Sequence, residues 1–232
     1  MSGLVESATA IMSASERRLE IVSQNISNAS TPGYKRVQGF ADVLAIRTAE
    51  PASLVSRTDM AQGTMRSTGN PLDLAISGAG FFLLRDGDAL VYSRQGQFRR
   101  AEDGNVVNAQ GHVLQQAGGG DLQLATAAVE IVEDGTVLDG GRPIARLALF
   151  AVRDGMEIES AGGSRFTAAE GVMEDAPAAI VRQGMLESSN VEMSQEMVTM
   201  MAAMRSAETG SRLVQIYDDL IGRAITNFGG GR

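Results

Sequence analysis

From Met193 onward, apolar residues return at alternating steps of four and three. Met193, Met197, Met200, Met204, Ala207, Val214, Ile221, Ile225 and Phe228 follow the pattern, and only Ser211 and Asp218 interrupt it. That period suits an α-helix with one continuous seam and cannot be laid along a strand. A helix cannot cover its own seam, so another segment or another chain must do so. Methionine at successive seam positions makes an adaptable contact surface, and each such side chain contributes roughly 1.5–3 kcal/mol when buried. Gly210 inside this helix costs about 1 kcal/mol relative to alanine, so packing has to offset it. The period by itself fits a core helix of a globular domain equally well.

The opposite end of the chain carries a second amphipathic pattern. Leu4, Ala8, Ile11, Leu19, Val22 and Ile26 share one helical face, and the helix runs into a polar Asn/Ser segment. Pro32-Gly33 then predicts a turn, because proline presets φ and glycine accepts a positive φ at the next position. A valine at Gly33 should misdirect the chain, whereas an asparagine, which tolerates the left-handed region, should be much milder. Between the two ends the pattern switches to period two. Asp-Gly pairs at Asp86-Gly87, Asp103-Gly104, Asp134-Gly135, Asp139-Gly140 and Asp154-Gly155 supply tight turns. Phe81 to Leu84, Ala89 to Ser93, Val106-Val107, Val129 to Val132 and Ala145 to Val152 read as strands. Thr48 to Thr68 is rich in Ser and Thr and reads as an extended connector.

These patterns predict an α+β fold, with long N- and C-terminal helices packed together as a coiled-coil-like core and a central, mostly antiparallel β domain. The expected division is an N-terminal helix and turn over 1–45, a connector over 46–70, a β domain over 71–182 and a C-terminal helix over 183–232.

Chemistry is hard to find. The formal charge of −8 leaves no basic surplus for a nucleic acid. There is no cysteine, hence no disulfide or thiolate site, and one histidine, His112, cannot build a metal cage. No Gly-x-Ser-x-Gly elbow occurs, and Gly78-Ala79-Gly80 lacks the third glycine of a dinucleotide loop. The acidic pairs Glu102-Asp103, Glu133-Asp134 and Asp218-Asp219 lack calcium-loop spacing. No enzyme activity, cofactor or metal is expected. Glu6 lies near the start and no Lys or Arg precedes Arg17, so no secretory signal is read there. No apolar run is long enough to span a bilayer.

Ser23-Gln24-Asn25-Ile26-Ser27-Asn28-Ala29-Ser30-Thr31-Pro32-Gly33-Tyr34-Lys35 resembles the Asn-rich terminal signature of bacterial flagellar axial proteins, the rod, hook and hook-associated family. Asn25, Asn28, Thr31, Gly33 and Tyr34 fall on the family pattern, and Pro32 with Gly33 forms its turn. Leu72 to Phe82, Tyr92 to Phe98, Asp103 to Val107 with Gly111, and Gln183 to Val191 are similar to later blocks of the same family, in the same order. The short segment after residue 45, the modest length and Pro143 to Phe150 resemble the proximal-rod type; a distal-rod or hook-type protein is the alternative within the family.

The resemblance implies a structural subunit of the basal-body rod that helps transmit torque. Both helices would line a helical tube shared with its own copies and with other rod subunits, and the β domain would lie outside. It also implies passage through the flagellar type III export apparatus without a cleaved signal peptide, and residence in the periplasm-spanning rod. Leu4, Ile11, Leu19, Val22, Ile26, Met193, Met197, Met200, Met204, Val214, Ile221 and Ile225 would form the assembly seam. A reading of another class, an exported β-domain binding module, is disfavoured by the scarcity of Trp and Tyr, which recognition surfaces favour.

Overall fold

The periodic ends fold as helix α1, Ser2–Ser27, and helix α2, Met193–Gly229, and the described residues between them are strand, turn and loop. The structure is a computed structural model that describes residues 2–41 and 54–229. It divides into two compact units. One comprises residues 1–27, 37–59 and 191–232, and the other residues 28–36 and 60–190.

In the helical unit α1 packs along α2, and strand β1, Val37–Ala41, pairs antiparallel with β2, Leu54–Thr58. The side chains of Leu4, Ile225 and Phe228 lie outside the described residues.

The β unit contains β3 (Met65–Ser67), β4 (Leu74–Ser77), β5 (Phe81–Asp86), β6 (Ala89–Ser93), β7 (Phe98–Arg100), β8 (Val106–Asn108) and β9 (Val113–Leu114). It continues with β10 (Glu130–Ile131), β11 (Thr136–Asp139), β12 (Arg142–Arg146), β13 (Leu149–Val152), β14 (Glu159–Ser160), β15 (Arg165–Thr167), β16 (Met173–Asp175), β17 (Ile180–Gln183) and β18 (Met185–Glu187). Every strand pair among the described residues is antiparallel. The largest sheet runs β14-β15-β6-β5-β9-β8-β7, with β13 joining β5 to β16. β5 pairs with β6, β9 and β13, and its Phe81-Phe82-Leu83-Leu84 run is buried on both faces and shows no alternation. Leu74, Ile76, Phe82, Leu84, Val106, Leu114, Leu122 and Val137 lie at the heart of the core, with Phe82 edge-on to Phe98 at 5.5 Å.

All the Asp-Gly glycines adopt positive φ, and four of the pairs close hairpins. The fifth, Asp154-Gly155, instead turns the chain away after β13. One sequence expectation needs correction. Ala145 to Val152 is not one strand: β12 pairs with β11, and β13 joins the large sheet. The chain changes sheets at Leu147 and Ala148, whose amides donate to Gly135 and Gln115. Leu147, Ala148 and Leu149 are buried in succession, a pattern two-faced burial produces and periodicity cannot subdivide. In the described part of the connector, 54–70, β2 and β3 pair with β1 and β18. Their Ser, Thr and Arg residues suit exposed strands, which carry little apolar alternation.

Candidate functional site

The buried positions of the α1–α2 contact are mostly small or polar. Ala8, Ser15 and Val22 are buried on α1, and Glu196, Ala203 and Gly210 on α2, each set spaced by seven. A Cβ at Gly210 would stand 2.7 Å from Met12 Cγ and 3.3 Å from the carbonyl oxygen of Ala8. Gly210 therefore lets the helices approach closely, which offsets its poor helix propensity. Gly210→Leu should force α1 away, so that amide exchange in α1 accelerates while the β unit keeps its protection. Unchanged exchange in α1 would contradict this close contact.

At the end of α1, Asn25 is 1% exposed. Its Nδ2 donates to Val37 O at 2.8 Å and to Glu196 Oε2 at 3.1 Å, and its Oδ1 accepts from Val37 N at 2.9 Å. One amide thus ties α1 to β1 and α2, which a buried asparagine does by presenting donor and acceptor together. The α2 seam is split. Met200, Ala207 and Val214 are half-buried beside the α1 contact, while Met193, Met197, Met204 and Ile221 are exposed. On α1, Val22 is buried, Leu19 and Ile26 are half-buried and Ile11 is exposed.

Within the β unit, Thr31 N donates to Asn28 O, and Tyr34 N to Thr31 O, closing the turn at Pro32-Gly33. Gly33 has φ of 69°, the positive value expected of the third residue of a type II turn. The mild outcome expected for asparagine does not hold, however. A Cβ at Gly33 would lie 2.3 Å from the backbone C and O of Arg94 and 2.6 Å from Gln95 N. Space, as well as torsion, demands glycine there.

The turn seats against the segment that precedes α2. Gly33 N donates to Glu187 O at 2.8 Å, Asn190 N to Tyr34 O at 3.4 Å, and Arg36 N to Asn190 Oδ1 at 2.7 Å. Tyr34 is 1% exposed. Beneath it lies a buried charge cluster. Lys35 Nζ donates to Glu187 Oε1 at 2.6 Å and to Ala61 O at 2.8 Å. Arg94 Nη1 donates to Glu187 Oε2 at 3.2 Å and to Ile76 O at 3.1 Å, and Nη2 to Gly78 O at 2.6 Å. Gly63 N also donates to Glu187 Oε1, at 2.9 Å. The Arg94 guanidinium lies 5.2 Å from the centre of the Phe81 ring. Burial lowers the Arg94 pKa from its usual value, against the opposing charge and hydrogen bond of Glu187. Lys35, Arg94 and Glu187 come from three distant sequence blocks, so the cluster joins parts of the chain that periodicity treats separately. It was legible only as charged residues inside otherwise well-packed motifs.

His112 is buried, with Nδ1 3.2 Å from Asn108 Nδ2 and Nε2 3.5 Å from Asp86 Oδ2. No cluster of three metal-ligating side chains occurs among the described residues, and none of their helices is long and apolar enough to cross a membrane.

Comparison with known proteins matches these parts one by one. The family described as flagella basal body rod protein matches residues 7–35. The flagellar hook protein FlgE/F/G D1 domain matches 75–138, and the flagellar basal body rod FlgEFG protein C-terminal region matches 182–227. The basal-body rod protein FlgF of Caulobacter vibrioides is 29% identical over 230 residues, covering 92% of each chain. FlgF of Rhizobium meliloti is 29% identical, covering 94% of this chain and 95% of its own. The rod protein FlgG of Bacillus subtilis is 26% identical, covering 89% of this chain and 91% of its own. With both ends and the β unit matched in chain order, and relatives aligned along almost the whole length, the chain belongs to the flagellar basal-body rod protein family.

Proposed function

We propose that this structural rod subunit is of the proximal, FlgF-like type, and that copies and related subunits assemble by covering the apolar surface its own α1 leaves open on α2. The observation that carries the assembly reading is exposure on α2. Met197 is 53% exposed, Met204 48%, Ile216 56% and Leu220 58%, on a helix of 37 residues whose partner α1 has 26. Large apolar side chains left exposed at several places along one helix point to an interaction surface. A helical tube built from head-to-tail contacts would bury them, with the two helices forming a coiled-coil-like inner wall. The FlgF relatives favour the proximal type, because they align over 227–230 positions while FlgG relatives spread over 243–264. A distal-type subunit is the second reading, since FlgG relatives reach 28% identity.

Passage through the type III export apparatus, and residence in the part of the rod that spans the periplasm, follow from this reading. The family is a structural one, and the chain needs no catalytic residue, cofactor or nucleic acid for this role.

Met197→Asp and Met204→Asp should leave the isolated chain as stable as the parent, within about 0.5 kcal/mol, as exposed substitutions do. Each should nevertheless abolish motility, because an unpaired carboxylate would be buried on assembly. Retained swimming would remove that residue from the assembly surface. Introducing the chain into strains lacking either FlgF or FlgG separates the subtypes: rescue of the first alone supports the proximal reading, and rescue of the second alone supports the distal one.

A further inference from the structure

The five Asp-Gly pairs are chemically alike, yet the fold treats them differently. In such a pair the glycine nitrogen can attack the aspartate Cγ, since no Cβ on the glycine shields it. A C–N bond forms, the amide proton leaves, and the carboxyl loses a hydroxyl, so one water departs and a succinimide ring closes. Water then adds back. Opening at the former backbone carbonyl leaves the chain running through Cβ and Cγ as isoaspartate, with no net change in mass.

Three of the carboxylates are held. Asp86 Oδ2 accepts from Arg165 Nη1 at 2.8 Å. Asp103 accepts from Asn105 N at 3.0 Å and Asn105 Nδ2 at 2.6 Å. Asp134 accepts from Thr136 N and Thr136 Oγ1, both at 2.9 Å. The Thr136 backbone and side-chain bonds also lower the Asp134 pKa, disfavouring the neutral carboxyl from which water is lost. Asp139 and Asp154 have no side-chain hydrogen bond or ion pair among the described residues. Asp139 precedes the two-glycine turn between β11 and β12, where Gly140 and Gly141 have φ of 55° and 78°. Asp154 is exposed in the turn that Met156 N closes onto Arg153 O at 3.0 Å.

We propose that Asp139 and Asp154 are the sites at which this chain converts to isoaspartate, while Asp86, Asp103 and Asp134 are protected by the groups that hold their carboxylates. The extra main-chain carbon would fall in a two-residue hairpin at Asp139, loosening the β11–β12 ladder, and in an exposed turn at Asp154. The conversion needs only water and the folded chain, and is independent of assembly into a rod.

The test is to age the purified full-length chain near neutral pH in water labelled with heavy oxygen. Digestion and electron-transfer fragmentation then locate isoaspartate and the incorporated label at each pair. Asp139 and Asp154 should convert on the order of tenfold faster than the three held sites, the scale of the hydrogen bonds that must break. In urea all five should convert at comparable rates, and Thr136→Val and Asn105→Ala should raise conversion at Asp134 and Asp103 in the folded chain. Equal conversion at all five sites in the folded chain, or faster conversion at any held site, would overturn the proposal.

Discussion

Glu187→Ala is expected to destabilise the β unit by roughly 3–5 kcal/mol, the cost of leaving buried charge without its partner. Two cations, Lys35 and Arg94, converge on this carboxylate, and the side chains of Lys35 and Glu187 are each 1% exposed. Removing the anion leaves both facing each other in a dry site. That loss consumes much of the roughly 5–15 kcal/mol margin of a typical domain. Glu187→Gln keeps the shape and one acceptor but not the charge, and should fall between Glu187→Ala and the parent. Lys35→Met combined with Glu187→Gln should recover part of the loss, because the pair couples directly. Denaturant unfolding followed by a β-sheet signal measures all three. If Glu187→Ala shifts the transition by less than about 1 kcal/mol, the cluster does not hold the unit together.

Gly33 is expected to tolerate no side chain. Alanine, asparagine and valine all meet the backbone of residues 94 and 95, adding overpacking of about 1–3 kcal/mol to a left-handed torsion of about 1–2 kcal/mol for ordinary residues. Gly69 supplies the control within the same chain. Its φ is 73°, close to that of Gly33, but nothing lies within 4 Å of its Cβ position. Gly69→Asn should therefore cost only the torsional part, and asparagine tolerates that best. Stability and motility of Gly33→Asn and Gly69→Asn, compared side by side, separate crowding from torsion. Equal behaviour would show that the approach of Arg94 to Gly33 is not tight.

The helices, the antiparallel β class and the turn at Pro32-Gly33 were legible because each has a local cause: an apolar period, a positive-φ glycine or a fixed proline torsion. Strand boundaries were less so. Leu147 to Leu149 are buried in a row where the chain passes between sheets, and no alternation marks the change. β3 and β18 pair across more than a hundred residues through strands of three residues each, β3 largely exposed and β18 largely buried, too short to show an alternation. The seam of α2 was visible as a period, but its division was not. Glu196, Ala203 and Gly210, small or polar, are the buried positions toward α1, while Met200 is half-buried and Met193, Met197 and Met204 are exposed. Close approach selects small residues, and a reading based on hydrophobicity does not single these out. Lys35, Arg94 and Glu187 were hidden for a related reason, since buried charges find their meaning only in partners distant along the chain.

Thiol reactivity on α2 tests the central claim most directly. The chain contains no cysteine, so Met197→Cys introduces the one thiol in it. In the isolated chain position 197 is exposed and the thiol should react freely with a maleimide. In basal bodies purified from a motile strain carrying the variant, the same thiol should be protected until urea dissociates the rod. Equal labelling before and after dissociation would show that no subunit covers this face of α2, and would contradict assembly through its exposed apolar row.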